Sequence, residues 1–202
     1  MSQGEELRNQ IKGYAYAVGF DRVGFCAASD LEVNPLVRDA CAADRCRQYG
    51  RNWVCPPACD TLDGYAAKFA ARQQVIVVKT AGILEDEYDF EGMMAAEKIH
   101  KQHFIALVDK VRAAQLDGSI PTPDLSPSLE EGSEVDPFIF LAAGACTICP
   151  ECTYPDTPCR FPKRAFVSME ASGLVVSEVC EKAGLSYYDG PSTVTYSSCL
   201  VY

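Results

Sequence analysis

Three cysteines within seven residues, Cys146-Thr-Ile-Cys149-Pro-Glu-Cys152, with Cys159 seven positions further on, constrain this chain more than any other feature. Two consecutive two-residue gaps put three thiols on one tight loop. Such a loop can wrap three corners of a cubane, and a fourth cysteine can close it. Ferredoxin-type [4Fe–4S] loops use this geometry, usually with proline just past the last ligand. Here Pro158 and Pro162 lie on either side of Cys159-Arg160-Phe161. A second set, Cys41, Cys46, Cys55 and Cys59, lies upstream with gaps of four, eight and three residues. Together the eight thiols suffice for two four-thiolate centres.

Composition narrows the setting. A 202-residue chain that is 48% hydrophobic can build a core without covalent staples, as a single domain over 1–202. Eleven cysteines would suggest disulfides in a small secreted protein. The odd count, the metal-ligand spacings and an N-terminus (Met-Ser-Gln-Gly-Glu-Glu-Leu) without a basic or apolar leader argue against that and for a cytoplasmic location. A net charge of −10 opposes nonspecific nucleic-acid binding, which needs a basic footprint. No apolar run approaches the ~18–20 residues that span a bilayer, so no membrane role is expected.

Periodicity outlines the elements. Leu7, Ile11, Tyr14, Ala15 and Val18 recur at helical spacing, after a Ser2…Glu5 capping box. Strands are expected at 22–28, 74–80, 137–142 and 193–202. Helices are expected from about residue 61, over 91–115, and from Ser168, with Met169, Gly173, Val176, Cys180 and Ala183 on one face. Residues 39–60 read as loop or broken helix. Residues 117–136, with prolines and only acidic charges, read as a surface insertion. The fold class is therefore α/β, with α+β as the variant: a compact mixed sheet flanked by helices. It divides into two pseudo-equivalent halves, each running helix, strand, cysteine loop, helix, strand.

Several stretches together resemble one family. They are Tyr49-Gly-Arg-Asn-Trp-Val-Cys55-Pro-Pro-Ala-Cys59, Ala143-Gly-Ala-Cys146 through Cys152, Cys159-Arg-Phe-Pro162, Ser168-Met-Glu-Ala171 and Thr193-Val-Thr-Tyr196. In this order they are similar to the predicted metal-binding proteins grouped as domain of unknown function 2284. The resemblance spans nearly the whole chain. It implies metal binding, as iron–sulfur clusters, and an origin among mostly anaerobic prokaryotes, and it brings no reaction with it.

For both sets the leading reading is a [4Fe–4S] cluster. Structural zinc is the alternative, although zinc sites usually pair two knuckles across a longer spacer. The irregular first set also admits exchange of one ligand with the second site. Cys26, Cys180 and Cys199 read as core thiols. His100 and His103 read as packed helix histidines, with a two-histidine site beside Glu97 as the sharper alternative. Arg45, Arg47 and Arg51 surround the first set, and Arg160, Lys163 and Arg164 follow the second. They form either a solvated basic edge or charge compensation for anionic clusters. Trp53, the only tryptophan, either shields a cluster or simply packs. The acidic run 85–91 lacks the calcium-loop pattern and reads as a solvated loop or docking patch.

The function expected is an iron–sulfur protein with two [4Fe–4S] clusters. It would pass electrons to a protein redox partner or reduce a small substrate at a cluster. A non-redox zinc module that organises an interaction surface, or a carrier of metal or clusters, is the alternative.

Overall fold

The computed structural model describes residues 3–125 and 136–202. The Ser2 cap and half of the 117–136 insertion, residues 126–135, lie outside them. Of that insertion, Ile120 is described and is buried against the core.

Four strands form one sheet in the order β1-β2-β4-β3, with β1 at Arg22–Ala27, β2 at Gln74–Ile83, β3 at Ile139–Leu141 and β4 at Thr193–Val201. All three pairings are antiparallel, including the central one that sets Ile76 opposite Leu200 and Val77 opposite Cys199. The α/β expectation therefore holds in its α+β form. The mixed sheet is corrected to an antiparallel one, and the single parallel pairing is an isolated bridge from Ala142 to Ser168.

The buried run Val75-Ile-Val-Val78 follows from burial on both faces. Strand side chains alternate, so Ile76 and Val78 face one core and Val75 and Val77 the other. The first core is roofed by helices α1 (Gln3–Ala17) and α4 (Phe90–Leu116), through Leu7, Ile11, Phe104, Leu107 and Val111. The second is covered by α3 (Leu62–Ala70) and α5 (Val176–Lys182), through Tyr65, Phe69, Val179 and Cys180. Apart from an extra short helix over residues 35–42 in the first half, the two halves run in the same order: α1-β1-loop-α3-β2 and α4-β3-loop-α5-β4. A two-fold axis between the antiparallel neighbours β2 and β4 would generate this strand order.

Two local readings change. A short helix, α2 (Pro35–Ala42), precedes the first cysteine loop; Asn34 caps it by accepting the Leu36 N–H, and Pro35 sits at its start. The helix expected from Ser168 begins only at Val176. Residues 168–173 form turns instead. At Gly173 φ is +90°, and a Cβ there would lie 2.4 Å from a Leu62 methyl. Only glycine allows that approach.

Candidate metal centre

The second cysteine loop is tied down where it begins. Lys101, on α4, donates to the Ala145 carbonyl at 2.7 Å and pairs with Glu97 at 2.6 Å, so the chain enters Cys146 from a fixed point. Within the loop, the Thr153 hydroxyl donates to the Pro158 carbonyl at 3.0 Å. Arg160 donates to the Glu151 carbonyl at 2.9 Å. Cys146, Cys149, Cys152 and Cys159, all half-buried, line one cavity. Asn52, Trp53 and Val54 of the first loop form part of its wall.

The first loop knits itself through short polar side chains. Asn52 is 3% exposed; its oxygen accepts the Val54 N–H at 3.1 Å and its amide donates to Gln48 Oε1 at 3.1 Å. The Asp44 carboxylate accepts the Tyr49 N–H at 2.9 Å. Cys41 lies on the last turn of α2, Cys46 is exposed, Cys55 is buried and Cys59 is half-buried. The peptide bonds Pro56–Pro57 in this loop and Tyr154–Pro155 in the other are both cis.

Electrostatics show that each set gathers on itself. Burial pushes the Cys55 thiol up to about 11; a hydrogen bond with Asn52 opposes this, and Cys46, Cys59 and Cys41 nearby add to it. Burial also raises Cys41, with Glu170, Cys46 and Cys59 adding and Arg38 opposing. Cys59 is raised by burial against the charge and hydrogen bond of Arg38. In the second set burial raises Cys146, the Ile148 amide opposes, and Cys159, Cys149 and Cys152 add. Thiols packed like this stay protonated unless a cation replaces the protons, which is what metal binding does. Among the described residues no three His, Cys, Asp or Glu side chains form a ready single-ion site.

The two loops meet. Trp53 Nε1 donates to the Thr157 carbonyl at 3.1 Å, and its ring contacts Tyr154. Of the other residues singled out from the sequence, Arg51 is exposed and lies 3.8 Å from Asp44, and Arg160 serves the backbone of its own loop. Cys180 and Cys199 are buried in the second core, and Cys26 packs against it. His100 has both ring nitrogens on hydroxyls, Thr80 at 2.9 Å and Ser198 at 2.8 Å, while Glu97 pairs with Lys101. Both ring nitrogens of His100 are thus taken by hydroxyls, and Glu97 by Lys101.

Arg38, Asn52, Tyr154 and Lys101 were not picked out as parts of the site. One of them left a signal: Arg38 and Cys41 are three residues apart on α2 and share a helix face.

A chain with two cysteine-rich loops beside one antiparallel sheet is a cysteine-rich α+β protein by class. The family model for predicted metal-binding proteins, domain of unknown function 2284, matches residues 25–122 and 129–202, and the chain belongs to that family. No curated protein and no solved structure matches it. No helix among the described residues is long and apolar enough to cross a membrane.

Proposed function

We propose that this protein is an iron–sulfur protein that binds two [4Fe–4S] clusters and carries electrons to a protein partner or into a small substrate. The observation that supports this best is the cavity lined at once by Cys146, Cys149, Cys152 and Cys159, with the first cysteine loop forming its wall. A cluster would supply a one-electron redox centre there. The chain's own contribution is to present the thiols, exclude water and set the charge around them. Cys146, Cys149, Cys152 and Cys159 would hold one centre, and Cys41, Cys46, Cys55 and Cys59 the other. Trp53 covers one side of the second centre, and the backbone amide of Ile148 meets Cys146. Contact between the loops through Trp53 and Tyr154 favours passage of electrons between the centres. A cytoplasmic setting, where thiols stay reduced, suits eleven cysteines without a disulfide among them.

Anaerobic purification followed by iron and acid-labile sulfide analysis tests this. Two cubanes require about eight of each per chain, and an absorbance band that bleaches on reduction should accompany them. Zinc without sulfide, in a colourless protein, would replace the proposal with a structural zinc module.

A further inference from the structure

The first cysteine set carries a cation that the spacing of the cysteines does not reveal. Arg38 reaches from α2 toward the end of that loop, and its Nη2 donates to the Asp60 carbonyl at 2.9 Å, one residue past Cys59. Its guanidinium is therefore a positive group beside Cys59. The Nε of the same side chain is buried and has no acceptor among the described residues. A buried N–H left without an acceptor is costly, so this donor is suited to an anion that arrives with the metal centre. Arginine stays charged across the accessible pH range and presents its donors as a rigid fork. Arg51, one of the three arginines that surround the first set in sequence, is 63% exposed on its side chain and faces Asp44, where solvent screens it.

We infer that Arg38 is a positioning residue for the first four-cysteine centre: its fork holds the Asp60 carbonyl next to Cys59, and its charge favours the reduced state of the cluster bound there. The inference rests on the iron–sulfur reading above. Reduction adds an electron to a thiolate-bound centre that is already anionic. A fixed cation at partly buried range therefore stabilises the reduced form more than the oxidised form, and raises the potential.

The test is a redox titration, followed by electron paramagnetic resonance, on the anaerobically reconstituted full chain and its Arg38→Met and Arg38→Lys variants, with iron and sulfide assayed on each sample. Arg38→Met should keep its iron, and one of the two redox steps should move down by about tenfold in the reduction equilibrium, or 59 mV for one electron. The other step should stay in place, and Arg38→Lys should recover most of the shift. Identical steps in parent and Arg38→Met overturn the inference, as does an equal shift of both steps. Should Arg38→Met lose iron, Arg38→Lys decides: restored iron with a restored step supports a positioning charge, and unrestored iron overturns it. A parent protein without sulfide overturns the iron–sulfur reading and this inference together. A parent with full clusters and an unmoved Arg38→Met overturns this inference alone.

Discussion

Trp53 stands edge-on to Tyr154, with ring centroids 5.0 Å apart and planes at 85°, and this contact joins the two cysteine loops. Edge-to-face geometry sets the positive ring edge against the negative face of its partner. The indole N–H is spent on the Thr157 carbonyl, so both handles of the side chain reach the second loop. Trp53→Phe removes the donor and keeps a ring, at a cost of about 1 kcal/mol. Trp53→Ala removes both; because Trp53 is only half-buried, the cost should fall below the core range, at about 2 kcal/mol. Urea unfolding of the two variants checks the order. An Ala variant that unfolds at the parent's midpoint would mean the loops are not coupled through this ring. On the iron–sulfur proposal, loss of the wall should also speed the loss of iron in air.

Acid should weaken the fold through His100. Burial holds this imidazole neutral and drives its pKa from 6.5 down to about 3, with His103 and Lys101 adding to the effect. The unfolded chain takes up a proton below pH 6.5 that the folded chain refuses. The stability is therefore complete above that pH and falls as the pH drops toward 3, by up to ~1.4 kcal/mol per pH unit for this one group. His100→Gln can still bond Thr80 and Ser198 but cannot titrate. The gap in unfolding free energy between parent and variant, followed from pH 7 to pH 4, should swing steadily toward the variant; a constant gap would refute the assignment.

Lys79 is the one lysine buried in the sheet, with its side chain 0% exposed and Asp189 at 2.7 Å. Its ammonium also meets the Ser186 carbonyl, and Arg22 shares the carboxylate. The pair pins the segment between α5 and β4 to the sheet. Lys79→Met leaves a carboxylate that only the half-exposed Arg22 can answer, which should cost about 3 kcal/mol. Changing Lys79 and Asp189 together to apolar residues should cost less than Lys79→Met alone, since no charge is stranded. Thermal unfolding of the single and double variants reads this directly.

Both the elements and the cysteine sets were legible because each follows from local periodicity or spacing. Leu7, Ile11 and Ala15 mark α1 by their own repeat, and all three are buried. The same repeat misleads at Met169, Gly173 and Val176. There the approach of Leu62 to Gly173, a contact made by distant sequence, overrides helical spacing. Strand direction was equally out of reach, because Val75–Val78 reads as a doubly buried strand whether its neighbours run parallel or antiparallel. In the candidate site, the spacing of the cysteines stands in the sequence, whereas Trp53 on Tyr154 and Arg38 beside Cys59 arise only when the chain folds back on itself.

Which cysteines hold metal is the sharpest question the chain poses, and two substitutions separate ligand from packing. Cys149 lines the cavity between the loops. Serine there offers a poorer donor for iron, so one corner opens to water and oxygen. The chain between Ala143 and Pro162 has no helix or strand of its own, so the metal would be its main source of order. Cys149→Ser should therefore lose iron and yield less soluble protein. Cys180 is different: it is fully buried on α5, against the second core, with the Ser197 hydroxyl at 3.4 Å. Cys180→Ala removes one sulfur's worth of contact and a weak hydrogen bond, at about 1 kcal/mol, low on the scale of core truncations. Its iron content should equal the parent's. Iron and sulfide assays on the two proteins, purified side by side, give the answer. Full iron in Cys149→Ser would remove Cys149 from the ligand set, and lost iron in Cys180→Ala would bring Cys180 into it.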